Sequence, residues 1–225
     1  RGTGASSPLS DDLRFPDLVA DARACVEHLE RRDDVNPARI VVIGHSEGAA
    51  TAPVLAVERP GIAAIVLMAP PGRGVLEIVA DQNRRELESR GLPPEDVEQE
   101  MQEVLSFLAR LASDEPIDPA SLSAEERAAL AGRAWFQSHA VHDPVATIRE
   151  VKCPVLILPG AKGFQVAPEK DAQALESALE AANPPDHELH VLAGLDHLFK
   201  RSPGETSELA DYWKSRPIDP SFFAA

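Results

Sequence analysis

The chain has 225 residues, 44% of them hydrophobic, and sets 22 Lys+Arg against 37 Asp+Glu for a net charge of −15. This length suits one α/β domain with an insertion, and the charge argues against nucleic acid or an anionic membrane surface as partner. No run approaches the roughly 18 apolar residues of a membrane-crossing helix, so a soluble protein is expected.

The opening Arg1-Gly2-Thr3-Gly4-Ala5-Ser6-Ser7 lacks an initiator methionine and a signal-peptide pattern, and the closing Pro220 to Ala225 stops as an amphipathic helix begins. Both ends read as trimmed, which leaves the compartment open. From Phe15 to Arg32, apolar Leu18, Ala22, Cys25, Val26 and Leu29 recur at helical spacing. Asp34, Asn36 and Pro37 form a turn, and Arg39 to Ile43 is a short β-branched run of the kind found in buried parallel strands. Gly44-His45-Ser46-Glu47-Gly48 follows, then a helical Ala49 to Val57 stopped by Pro60-Gly61, then a second strand from Ile62 to Met68.

This G-x-S-x-G segment is the most informative feature of the chain. A serine at the tip of a tight strand-to-helix turn projects its hydroxyl away from the sheet, and flanking glycines let the backbone crowd together. The first N–H of the following helix, that of Glu47, can face an oxygen that becomes negative during acyl transfer. Three fixed positions match by chance in roughly one chain of this length in ten, so the weight rests on the strand before and the helix after. A plain structural turn is the alternative.

From about Gly72 to Val151 the sequence turns to charged, Leu- and Ala-rich helix, with one apolar stripe through Val97, Met101, Val104, Leu105, Leu108 and Leu111. Ser123-Ala124-Glu125-Glu126 is a capping-box signature. Some eighty residues without a strand, between two strands of a parallel sheet, predict an inserted helical cap, with Met101, Leu105 and Leu108 as candidate lining of an acyl pocket. The acid concentrated between Glu77 and Glu126 reads as the solvated face of surface helices rather than a cation site. The sheet resumes at Pro154 to Leu158, followed by a helix from Pro168 to Ala182 and a strand from Glu188 to Leu192 that leads into Gly194-Leu195-Asp196-His197-Leu198-Phe199. A histidine just beyond a strand's carboxyl end sits where open α/β sheets place catalytic groups. Cys25 and Cys153 look like small buried hydrophobes, not a disulfide.

The order of parts, a serine after one strand and a histidine after the last, resembles the α/β-hydrolase superfamily, and in particular capped bacterial carboxylesterases related to the serine aminopeptidase group. The resemblance covers nearly the whole chain: the opening Arg-Gly-x-Gly-x-Ser, Trp135-Phe136, Asp143-Pro144, Cys153 to Leu158 and Gly194 to Phe199. It implies an α/β fold with the parallel sheet of the family, short of its N-terminal strands and carrying an inserted helical cap. The implied domains are a first core part, 1–71, with the nucleophile; the cap, 72–150; and a second core part, 151–225, with the histidine loop.

Carried over residue by residue, Ser46 is the nucleophile, His197 the general base and the Glu47 N–H an oxyanion donor, with His45 packing or hydrogen-bonding on the substrate side. His139 and His142 of the cap, and His28, His187 and His190 on surfaces, read as solvated or satisfied histidines, with no metal spacing. The family's Gly-x-x-Asp after the strand is here Gly160-Ala161-Lys162-Gly163, so glycine stands where the triad acid is expected. In a serine protease, changing that acid to asparagine lowers turnover about 10⁴-fold, near 5.5 kcal/mol. Asp171, Glu169 and Asp196 are the candidate substitutes, although Asp196 is expected to bond local backbone; loss, deliberate inactivation and displacement all stay open.

The implied activity is cleavage of carboxylic esters through an acyl-enzyme, with an aminopeptidase-like peptidase and a non-catalytic binding relative as alternatives. The chemistry calls for no cofactor or metal, and the implied partner is a small-molecule ester. Strands five to eight of the family sheet would be contiguous, leaving Arg39 to Ile43 as a bare apolar edge. Such an edge predicts association with the absent N-terminal segment or with a second copy.

Overall fold

The computed structural model describes residues 4–7, 10, 12–182, 186–204 and 207–224. The chain divides into two compact units, Arg1–Leu18 with Gly74–His142, and Val19–Arg73 with Asp143–Ala225. The opening Arg1 to Thr3, part of the resemblance noted above, lies outside the described residues.

The second unit is built on a parallel sheet of β1 (Val41–His45), β2 (Ala64–Met68), β3 (Val155–Leu158) and β4 (His187–Leu189), in that spatial order. Val41 pairs with Ala64, Ile65 with Val155 and Val155 with His187. The near-continuous apolar runs seen in the sequence are what a strand covered on both faces requires. Ile65, Leu67 and Ile157 are fully buried. They share a core with Ala52 and Leu55 of α2 (Glu47–Glu58), Ile148 of α7 (Pro144–Glu150), Leu175 and Leu179 of α8 (Asp171–Ala181) and Val26 of α1 (Phe15–Glu30).

Some boundaries differ from expectation. β1 begins at Val41 because Pro37–Arg39 forms a 3₁₀ turn capped by the Asn36 side chain. α8 begins at Asp171, after a loop in which the Asp171 carboxylate accepts the Ala167 N–H. β4 ends at Leu189, yet His190 N and Leu192 N still donate to Ile157 O and Pro159 O, and Leu192 bridges to Gly160. The ladder therefore loosens rather than stops, and this keeps the following loop beside residues 160–163. Cys25 is exposed, not buried: the buried stripe of α1 in this unit runs through Val19 and Val26, which turns Cys25 outward. Cys153 is half-buried, and burial pushes its thiol pKa up.

β1 is an edge strand. Val41 and Ile43 on it are 48% and 65% exposed, an apolar edge of the kind natural sheets usually cover.

The first unit holds α3 (Val75–Ser89), α4 (Pro94–Ala112), α5 (Ala124–Ala131) and α6 (Arg133–Ala140). Leu108, Leu111, Ile117, Leu122 and Phe136 form its core, and Leu87, Val97 and Met101 form a second cluster. Leu105, expected in the apolar stripe, is half exposed. Both arms of the Ser123/Glu126 capping box are made. Arg133 caps the carboxyl end of α4 by donating to the carbonyls of Arg110, Leu111 and Ser113, which satisfies acceptors the helix cannot pair itself. No helix among the described residues is long and apolar enough to cross a membrane.

Burial separates two isoleucines of the sheet. Ile157→Ala, at a fully buried site, is expected to lower the unfolding free energy by about 2–5 kcal/mol, whereas Ile43→Ala on the open edge costs under about 1 kcal/mol. Urea denaturation of the two variants measures the difference.

Candidate active site

A single residue separates β1 from α2, and that residue is Ser46. Its backbone stands at φ 55° and ψ −116°, on the side of conformational space that serine seldom adopts. Two hydrogen bonds hold it there: Ser46 N donates to Met68 O at 2.9 Å, and Ala49 N donates to Ser46 O at 2.9 Å. The Ser46 hydroxyl makes no capping bond to α2 and so is not spent on the helix.

Of the two glycines, Gly44 is the one demanded by close approach. A Cβ there would lie 2.1 Å from the Gly48 carbonyl oxygen, whereas a Cβ on Gly48 would meet open space. The expectation that both glycines serve crowding is thus met by Gly44 alone; Gly48 contributes the backbone that Gly44 must clear.

His197 lies in the loop after β4. Its neighbour Asp196 is fully buried, and the Asp196 Oδ1 accepts the N–H groups of Leu198 and Lys200, each at 2.9 Å, while Oδ2 accepts from Arg216 Nη2 at 2.8 Å. With three donors on its carboxylate, Asp196 holds the loop, as local backbone bonding predicts. The loop is tied to the elbow by His45, whose Nε2–H donates to His197 O at 2.8 Å. A carbonyl only accepts, so this bond puts the His45 proton on Nε2. The two rings lie 4.9 Å apart, and Tyr212 presents an edge to His197 at 6.1 Å. The residue beside the serine thus touches the histidine loop directly. Ser46 Oγ and the His197 ring share no hydrogen bond among the described residues.

The His197 ring is 2% exposed, and its pKa is pushed down to about 4, first by burial, then by the neighbouring His45, with Asp196 opposing. Its Nδ1 is buried without a hydrogen-bond partner. A Cβ at Gly163 would stand 3.9 Å from His197 N. The turn that carries Gly163 is clasped to the histidine loop by Ala161 N to Leu192 O and Lys162 N to Leu195 O. Gly163, the position at which the resemblance leads one to expect an acid, therefore adjoins the histidine whose Nδ1 lacks a partner.

Asp171 does not substitute. It is fully buried, and its two oxygens accept from Arg73 Nε at 3.0 Å, Arg73 Nη2 at 2.9 Å, Gly72 N at 3.1 Å and Ala167 N at 2.9 Å. Four donors occupy the carboxylate in fastening the segment after β2 to the start of α8. Glu169 is exposed. Elsewhere, His139 packs between Phe15 and Trp135 at 4.5 and 4.4 Å, and His190 pairs with Glu188 at 2.7 Å. Among the described residues no group of three or more His, Cys, Asp or Glu could hold a metal. Sequence reading missed Tyr212, Arg216 and the Arg73–Asp171 pair, because each joins segments far apart in the chain and no local pattern signals it.

Residues 1–209 match the model of the alpha/beta hydrolase family. The chain belongs to that family. Among curated proteins it is similar to esterase EstD of Thermotoga maritima, 29% identical over 204 residues, which are 90% of this chain and 45% of that protein. The chain thus spans under half the length of this relative. Among solved structures, an esterase of Pyrococcus furiosus aligns with TM-score 0.55 and 19% identity over 85% of this chain and 57% of the other. Est1E of Butyrivibrio proteoclasticus aligns with TM-score 0.51 and 18% identity over 83% of this chain and 63% of the other. These alignments agree with the α/β-hydrolase fold of parallel strands and covering helices.

A buried neutral histidine makes stability depend on pH. Between pH 6.5 and about 4 the unfolded chain binds a proton that folded His197 does not, so its contribution is complete above pH 6.5 and is lost as pH falls towards 4. Wild type is expected to lose about 3 kcal/mol more than His197→Gln between pH 7 and pH 4. Urea unfolding at the two pH values, wild type against variant, checks this.

Proposed function

We propose that this chain carries the nucleophile and base of a serine hydrolase that cleaves carboxylic esters through an acyl-enzyme, slowed by glycine at position 163. The observation that carries the reading is the buried His197 Nδ1 without an acceptor, beside Gly163 and joined through His45 to the elbow of Ser46. Membership of the alpha/beta hydrolase family and similarity to a protein named an esterase support the choice of ester as substrate.

In this mechanism His197 Nε2 takes the Ser46 proton as Oγ attacks the ester carbonyl. The carbonyl oxygen becomes negative at the amino end of α2, where the Glu47 N–H and the helix dipole favour it. The tetrahedral intermediate collapses, the alcohol leaves with the proton from His197, and water repeats the sequence on the acyl-serine. His45 flanks the path of the substrate.

Proton transfer makes His197 an imidazolium, and a triad acid normally stabilises that ion and fixes Nδ1 as the protonated nitrogen. Glycine supplies neither. The base is left with a pKa of about 4, a poor match to neutral pH. The inserted helices between β2 and β3 are assigned the part of a cap from their place in the chain. The open edge of β1, with Val41 and Ile43 exposed, supports pairing with a further strand, from another segment or from a second copy. The same orphaned Nδ1 favours one rival reading, a relative that binds a ligand and no longer turns it over.

Hydrolysis of p-nitrophenyl acetate by wild type, Gly163→Asp and the Ser46→Ala/Gly163→Asp double variant separates the two. A Cβ at 163 meets Val166 O at 2.9 Å, so the turn must give by a few tenths of an ångström. The proposal expects kcat to rise by about 10²–10⁴ in Gly163→Asp, the acid limb of the pH profile to move up from about 4, and the double variant to be inactive. If Gly163→Asp folds and its His197 pKa rises while turnover stays at background, the ester-hydrolase reading is wrong and the binding reading stands.

A further inference from the structure

The helical unit holds a groove of about 630 Å³ between α3, α4, α5 and α6, and no residue of the chemistry above lines it. Its floor is apolar, from Val104, Phe107, Leu108, Leu111, Trp135 and Phe136. Glu100, Glu103, Glu125 and Glu126 stand around it, and its lining contains no basic side chain. Glu126 is committed to the Ser123 N–H of the capping box. The other three are exposed, and among the described residues none is paired with a cation. Of the basic side chains nearby, Arg133 caps α4, Arg127 donates to Leu122 O and Arg84 pairs with Glu98, while Arg110 lines the adjoining hollow with Glu103, Phe107 and Glu126 and, among the described residues, forms no ion pair with the three exposed glutamates.

From this apolar floor and the excess of carboxylates in its lining, we propose that the groove binds small organic cations, an ammonium head on an apolar body. The volume suits a ligand of that size. Burial of the body against Phe107 and Trp135 supplies most of the affinity, and the carboxylates select the sign of the head. An anionic head would meet three like charges, and a neutral one would gain nothing from them. An aromatic wall adds attraction for an ammonium passing over its face. Charge complementarity is what separates this occupant from a plain hydrophobe.

Trp135 is a built-in reporter, and Trp213, 85% exposed, can be replaced to leave it alone. In Trp213→Phe, octyltrimethylammonium is expected to give a saturable change in fluorescence. Octyl glucoside and nonanoate, with the same octyl tail, are expected to bind at least about tenfold more weakly. Glu103→Gln/Glu125→Gln is expected to weaken the cation by about five- to tenfold, as two partly exposed ion pairs allow. A control at equal net charge, Glu150→Gln/Glu180→Gln, should change it less than about twofold. Ala129→Phe, which fills the groove without adding a second tryptophan, should abolish the response while circular dichroism stays unchanged. The proposal is overturned if the neutral or anionic probe binds as tightly as the cation, if the control weakens binding as much as the groove variant, or if no saturable response is seen.

Discussion

The hydrogen bond from His45 Nε2 to the His197 carbonyl, 2.8 Å long, joins two places 152 residues apart in sequence. It can form only because the chain turns from β1 into α2 within one residue, which puts His45 at the sheet's carboxyl end and Ser46 beside it. That turn in turn requires Gly44, since any side chain there would strike the Gly48 carbonyl. The elbow is therefore a chain of steric conditions, each fixed by one residue, and the proximity of Ser46 to the histidine loop is their result. Strain at Ser46 is offset by the ladder bond to Met68 and by the first turn of α2.

On the other side of His197 lies the turn that carries Gly163. The Gly163 turn is clasped to the histidine loop, the imidazole is dry, and Nδ1 faces no acceptor. Burial of an imidazole favours its neutral form; His45 pushes the same way, Asp196 opposes both, and no carboxylate pairs with Nδ1. The nearby carboxylates cannot step in, because Asp171 and Asp196 are each held by several donors in fastening loops. Both are structural clamps, and both are buried because they are paired.

Much of this was legible in the sequence. The β-branched runs at Val41 to Ile43 and Val155 to Leu158 announced parallel strands, the G-x-S-x-G turn announced the elbow, and the spacing after Gly160 singled out Gly163, whose turn is clasped to the histidine loop. What was not legible depends on distance along the chain. Nothing near Arg216 says that it reaches Asp196, and nothing near Tyr212 says that its ring meets His197. The exposure of Cys25 and Leu105 was missed for another reason: a helical stripe gives a face about a third of the circumference wide, and residues on its margin are decided by what packs there. The acidic helices looked like a solvated face, and only the apolar floor that includes Phe107 and Trp135 distinguishes the groove from one.

The central claim is that Ser46 is a nucleophile poised by His197. Exposing the intact chain to a fluorophosphonate and locating the adduct by peptide mass spectrometry tests it most directly. The account predicts one slow adduct, on Ser46, that is lost in His197→Gln. An adduct on another residue, or an unmodified Ser46 after prolonged exposure, would contradict it.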